Sequence, residues 1–191
     1  MAISSICFIR HGQTDWNKQG RLQGKTDIPL NDTGRKQAEA CGKFLNAADY
    51  DVLICSPLQR AKETAQIINL HLILPLIEMD DFKERSFGDA EGMTMEERQR
   101  AYPNGSFPSQ EKREEFNQRV MTGLEKINKK FPNKRILLVA HGAVINAILA
   151  EISNGEIGSG KTILMNGCIS NIRFKEKTWE IQNYNQVRHL N

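Results

Sequence analysis

The chain alternates short apolar, β-branched runs that stop at a turn with longer stretches in which apolar residues recur at helical spacing. Ile3 to Ile9 is such a run and stops at Arg10-His11-Gly12; Asp51 to Cys55 repeats the theme before Ser56-Pro57. Both predict strands ending in turns. Asn31 predicts the cap of a helix with Ala38, Cys41 and Leu45 on one face, and Ser56-Pro57 predicts the start of another reaching about Leu70. Leu72 to Ile77 reads as a short strand broken by Pro75, and Met79 to Gly92 as an acidic loop punctuated by glycine, too charged to be buried throughout. Phe116, Val120, Leu124 and Ile127 predict an amphipathic helix from about Lys112 to Lys130. Arg135 to Ala140 then predicts a strand, His141-Gly142 a turn and Ala143 to Ile152 a helix. Two closing strands follow, around Cys168 to Phe174 and Trp179 to Ile181.

Strand and helix in alternation predict an α/β fold of three layers, α/β/α, around a mostly parallel central sheet. At 191 residues the chain is expected to form one domain, 1–191, with the polar, proline-bearing stretch Thr94 to Gln110 as a short cap insertion at about 93–115.

Composition narrows the class of function. Hydrophobic residues at 39% and charged residues at 26% exclude a disordered chain and a membrane span. A net charge of +3 favours anions slightly, but there is no basic arm, so neither nucleic acid nor membrane is expected as a partner. The opening MAISSICFIR lacks a basic n-region, and Cys7, Cys41, Cys55 and Cys168 form no close pair; reduced thiols and a cytoplasmic location are expected. Nothing in the sequence bears on oligomeric state.

GEIGSGKT, Gly155 to Thr162, matches the phosphate-loop pattern of nucleotide-hydrolysing enzymes. Such a loop needs a strand before it and a helix after it, so that backbone N–H groups and the helix N-terminus cradle the phosphates. Here a helical segment precedes it and the β-branched run from Thr162 onward predicts a strand after it. The order is reversed, and the stretch reads as a flexible connection.

Phosphate chemistry has a better address. FIRHGQTDWN and LLVAHGAVIN share one grammar: an apolar strand, then His-Gly, then a polar or helical start. In an open parallel sheet the strand carboxyl ends share one edge, where ligands bind near the topological switch point. His11 and His141 are thus expected to face each other. Arg10 adjoins His11, and Arg60 lies in the first turns of the helix after Ser56-Pro57, again just beyond a strand end. A guanidinium recognises phosphate oxygens in a planar, bidentate manner and stays charged at any working pH. Two imidazoles and a carboxylate can also hold zinc, the competing use of His11 and His141. Fixed cations at Arg10 and Arg60 would repel a divalent ion, and the metal-free reading, with no cofactor, is favoured.

RHGQTDWN, SPLQRAKETA, FKERSFGDAEG and AHGAVINA, in that order, resemble the histidine phosphatase superfamily in its phosphoglycerate-mutase-like branch, and the likeness spans nearly the whole chain. PLNDTGRKQA resembles the family's second segment, with Asn31 where a threonine cap is common. The resemblance implies that His11 is a nucleophile forming a phosphohistidine, with Arg10, Arg60 and His141 as the phosphate pocket. It implies that Asn17 helps to bind phosphate, that Gln23 and Gly24 form a substrate-contacting turn, and that Glu84 is the proton donor. Residue chemistry alone ranks Glu84 no higher than Asp80, Asp81, Asp89 or Glu91.

Phosphatase and mutase differ in how long the phosphohistidine is kept from water. The segment between Gly92 and Phe116 is shorter than the covering region of the glycolytic mutases, which favours a metal-independent phosphomonoesterase acting on small phosphorylated metabolites. Arg85 in ERSFG is similar to the mutase pattern and offers a cation for a second acidic group on the substrate. A mutase-type phosphotransferase and a non-catalytic phosphate-binding module remain as alternatives. Arg98, Arg100, Lys112 and Arg113 border the cover, where solvated helix charges are the simpler account.

Overall fold

The computed structural model describes residues 4–191. Six strands form one sheet in the order β3-β2-β4-β1-β5-β6, with β1 at Ser5–Arg10, β2 at Val52–Cys55, β3 at Leu76–Glu78, β4 at Arg135–Ala140, β5 at Ile169–Lys175 and β6 at Thr178–Gln186. β1 to β4 pair in parallel, while β5 runs antiparallel to β1 and β6 antiparallel to β5. The mostly parallel α/β fold is as expected.

The central strands are unbroken apolar runs because both of their faces are covered. Ile6, Phe8, Ile54, Ile136 and Leu138 point into one core with Val120 and Leu124 of α5 (Arg113–Lys130) and Ile145 and Ile148 of α6 (Gly142–Ile152). The alternate residues Cys7, Ile9, Leu53, Leu137 and Val139 meet Cys41 of α2 (Asp32–Phe44) and Ala61, Ala65 and Ile68 of α3 (Gln59–Leu72). These are the three layers. All four cysteines are buried and free, and none of the described helices is long and apolar enough to cross a membrane.

Asn31 caps α2, its side chain accepting from the Gly34 N–H at 2.9 Å. Three local expectations fail. Ser56 does not cap a helix: α3 starts after Leu58, and the Ser56 hydroxyl is committed elsewhere. Leu72 belongs to α3, whose left-handed end at Ile73 delays β3 until Leu76. The stretch after Thr162 is not a strand until Ile169, because its earlier carbonyls serve side chains, Thr162 holding Asn146 at 3.2 Å and Leu164 holding Arg10. The acidic loop also buries more than its charge suggests, with Phe82, Glu84 and Ala90 inside.

β1 and β4 are neighbours, yet the chain leaves β1 toward α2 on one face and leaves β4 into α6 on the other. That divergence is a topological switch point, and it opens a crevice at the strand carboxyl ends.

Candidate active site

Arg10 ends β1 in register with Ala140 at the end of β4, and the His11 N–H donates to the Ala140 carbonyl at 3.0 Å. The two His-Gly turns therefore leave the sheet side by side. The next N–H, of Gly12, donates to Thr64 Oγ1 at 3.0 Å, and that hydroxyl donates to the Arg60 carbonyl at 2.7 Å, tying the loop to α3. The first turn of α2 presses on the same loop: a Cβ on Gly12 would lie 2.3 Å from the Gly34 carbonyl oxygen, and one on Gly34 would lie 2.2 Å from the Gln13 oxygen. Only paired glycines permit this approach.

His11 is buried, with its Nδ1 2.7 Å from the Gly12 carbonyl oxygen. A carbonyl can only accept, so Nδ1 carries the proton and Nε2 keeps its lone pair. Burial, then the Arg60 and Arg10 charges, hold the imidazole well below its ordinary value, opposed by the Gly12 bond. His141, at the N-cap of α6, is fully buried with Nε2 2.7 Å from Ser56 Oγ and Nδ1 without a partner. Burial first, then Arg60, His11 and Arg10, likewise keep it well below its ordinary value.

Arg60 is the largest fully buried side chain. Its Nη1 and Nη2 donate to the Thr26 and Gly24 carbonyls at 3.0 and 2.7 Å, while Nε is unpaired. Arg10 donates through Nη1 to the Leu164 carbonyl, and its Nε is also unpaired. Carbonyl dipoles hold both guanidiniums, and neither forms an ion pair among the described residues. A cation withdrawn from water without a counter-ion is costly, most of all for the fully buried Arg60, and a dianion arriving between the two relieves that cost.

Glu84, also buried, accepts from the Arg85 N–H at Oε1 (3.0 Å) and from the Ala143 N–H at Oε2 (3.1 Å). Burial raises its carboxyl above the ordinary value despite those N–H groups and the two arginines. Among the acidic residues of its loop it alone joins His11 at the site.

A cavity of about 260 Å³ has Arg10, His11, Asn17, Gln23, Arg60 and Glu84 on its wall. Asn17 closes the capping box of α1 (Asp15–Lys18), its Oδ1 accepting from Thr14 N, Thr14 Oγ1 and Asn166 Nδ2, each at 3.1 Å. The amide nitrogen is the end left for a ligand. Gln23 donates to Thr14 Oγ1 at 2.6 Å and leaves Oε1 buried and unpartnered. Gly24 and Arg85 are not on this wall. Gly24 serves it through the Arg60 bond, and Arg85 faces a neighbouring cavity while donating twice to the Glu111 carbonyl, at 3.0 and 2.9 Å.

Sequence reasoning missed Ser56 as the partner of His141, Thr64, Asn166, and Arg21 on the wall. Arg98, read as a solvated charge, is on the wall too; Arg100 and Lys112 instead pair with Glu96 and Glu115. Among the described residues there is no group of three or more His, Cys, Asp or Glu placed to hold a metal.

Two strand-end histidines at a switch point, backed by the buried Arg60 and the half-buried Arg10, define the histidine phosphatase class. The chain belongs to the histidine phosphatase superfamily (branch 1), which it matches over residues 6–187. It is 52% identical to the Bacillus subtilis (strain 168) protein named Uncharacterized phosphatase PhoE, covering 98% of this chain and 97% of that one. It is 33% identical to a metal-independent phosphoserine phosphatase of Arabidopsis thaliana, covering 98% and 84%. The solved structure of Bacillus stearothermophilus YhfR has the same fold, with a TM-score of 0.90 at 24% identity over 98% of this chain and 100% of that one.

Proposed function

We propose that the chain is a metal-independent phosphomonoesterase that carries the phosphoryl group of a small phosphorylated metabolite on His11 and then delivers it to water. One observation carries this reading: His11, with Nδ1 committed to the Gly12 carbonyl, lines a cavity beside the buried Arg60 and the half-buried Arg10, neither of which has a carboxylate partner among the described residues.

His11 Nε2 attacks phosphorus in line while the bond from phosphorus to the alcohol oxygen breaks. Arg10, Arg60 and the Asn17 amide hold the equatorial oxygens, where charge spreads in the transition state. An arginine so placed in other phosphoryl-transfer enzymes contributes about 10³ to 10⁵ in rate. His141 adds a hydrogen bond through Nδ1, with Ser56 donating to its Nε2 and so fixing the tautomer. Glu84, whose protonated form burial favours, gives its proton to the departing oxygen and releases a neutral alcohol. Its carboxylate then takes a proton from water, the hydroxide attacks phosphorus, the P–N bond breaks, and phosphate leaves with Nε2 restored. Hydrolysis is favoured over return to a second hydroxyl by the phosphatase names of the two relatives given above, among others named as mutases, and by the short cover between Gly92 and Phe116.

Turnover of p-nitrophenyl phosphate in excess chelator tests the whole. The wild type is expected to turn over and His11→Ala to lose roughly 10³-fold or more while keeping its circular dichroism and melting transition. Rapid-quench mass spectrometry at alkaline pH should find the phosphoryl group on His11; a label on another residue refutes the scheme.

A further inference from the structure

The segment 164–167, just before β5, is absent from the wall of the His11 cavity, yet it bonds to three residues that form that wall. The Leu164 carbonyl accepts from Arg10 Nη1, and the Gly167 N–H donates to the Arg10 and His11 carbonyls at 3.0 and 3.3 Å. Between them Asn166, half-buried, bridges His11 and Asn17: its Nδ2 donates to the His11 carbonyl and to Asn17 Oδ1, each at 3.1 Å. An amide nitrogen carries two N–H groups, and both are used here. The segment is anchored in turn from its far side. The Met165 N–H donates to Asn185 Oδ1 at 2.9 Å, Asn185 Nδ2 donates to the Ile163 carbonyl at 3.1 Å, and His189 Nε2 lies 2.8 Å from the Gly167 carbonyl oxygen.

The two ends of this bridge are held very differently. Without Asn166 the His11 backbone is still fixed at three points: its N–H on Ala140, its carbonyl on the Gly167 N–H, and the following N–H on Thr64. Asn17 stands instead on α1, a helix of four residues, and a single turn is not stable by itself. The Asn17 side chain accepts from the N–H and the hydroxyl of Thr14, both within its own turn; Asn166 is its one partner from outside that turn among the described residues. The Thr14 N–H can only donate, so it decides which end of the Asn17 amide turns away from the cavity. Asn166 decides where that amide stands relative to His11.

We propose that Asn166 is a positioning residue: by tying the Asn17 side chain to the His11 backbone, it sets the Asn17 amide nitrogen where an equatorial oxygen of the transferring phosphoryl group arrives. This rests on the roles given to His11 and Asn17 above. Asn166 acts through Asn17 and has no place on the cavity wall of its own. A group displaced by about 1 Å from its productive position can lower the rate by about 10²-fold, so a bridge outside the cavity is able to govern binding inside it.

A double-mutant cycle tests it. Wild type, Asn166→Ala, Asn17→Ala and the double variant are compared by the Ki of orthovanadate, an ion that takes up the five-coordinate geometry of the transferring group. A Ki does not depend on the fraction of molecules folded, so a purely structural role would leave it unmoved. Asn166→Ala is expected to weaken orthovanadate by about tenfold where Asn17 is present, and by less than about threefold where Asn17 is already alanine. Asn166→Ser, with one donor in place of two, runs the same cycle if the alanine variant does not fold, and should show a smaller part of the same loss. Equal losses in both backgrounds, a Ki untouched by Asn166→Ala, or a Ki untouched by Asn17→Ala overturns the proposal. Hydrolysis of p-nitrophenyl phosphate that depends on His11 leaves the phosphatase reading standing in that case, whereas a wild type that neither turns over this ester nor binds orthovanadate removes both.

Discussion

The imidazole of His11 lies with its ring centroid 5.2 Å from that of His141, the two planes tilted by 57°. Two imidazolium ions could not share that buried space with Arg10 and Arg60, since like charges at this range repel strongly in a medium poorer in water. Burial and the arginines favour the neutral form of each ring, which is also the form that can attack phosphorus.

The pH dependence follows. Burial and the neighbouring cations hold His11 well below 6.5, and burial holds Glu84 above 4.5. A depressed base is free for attack at pH values where an ordinary histidine is protonated; a raised acid keeps its proton where an ordinary glutamate has lost it. After correction for the ester's own second ionisation, kcat/KM should climb along an acid limb below pH 6.5 and decline as Glu84 ionises. An acid limb at or above 6.5 would contradict the desolvated nucleophile.

Glu84→Gln keeps the shape and removes the proton. Alkyl phosphates, whose leaving oxygen needs protonation, are expected to slow by about 10² to 10⁴, and p-nitrophenyl phosphate by much less. The alkaline limb should vanish in the same variant. Equal losses on both substrates would show that Glu84 does something other than donate.

Ser56→Ala leaves His141 Nε2 buried with no partner. The expected cost is about 1–3 kcal/mol in urea unfolding. In the proposed scheme the hydroxyl also sets which nitrogen of His141 meets the phosphate, so kcat/KM should fall by up to about 10²-fold. Lost stability with unchanged turnover would reduce Ser56 to a structural role.

Gly34→Ala inverts a familiar expectation, since alanine inside a helix ordinarily stabilises by roughly 0.5–1 kcal/mol. Here the added Cβ meets the Gln13 backbone oxygen at 2.2 Å and nitrogen at 2.7 Å, neither of which is a flexible end. A loss of about 1–3 kcal/mol is expected, as for overpacking. Turnover should fall too, because the displaced backbone continues directly from His11.

The reach of the sequence had a physical boundary. β1, β2 and β4 were legible because burial on both faces leaves unbroken apolar runs. His11, His141 and the arginines were legible because strand ends at a switch point converge. Glu84 needed the family pattern, for nothing local separates a buried carboxylate from the solvated ones around it. Ser56 looked like a cap because serine before proline usually is one; its hydroxyl instead reaches His141, 85 positions away. Asn166 bonds the His11 carbonyl across 155 positions, a distance over which no periodicity carries a signal. Arg98 followed the pattern of an exposed helix charge, and only the folding of α4 (Met95–Ala101) back over the crevice put it on the wall.

Arg10, Arg60, Glu84 and His141 stand on four separate segments, and the two strands that set the histidines side by side come from opposite halves of the chain. With the site proposed above, catalysis is consequently a late-stage reporter of folding. An intermediate with its helices intact but β1 and β4 unpaired is expected to hydrolyse nothing, so a lag between recovered ellipticity and recovered turnover would time the closing of the sheet.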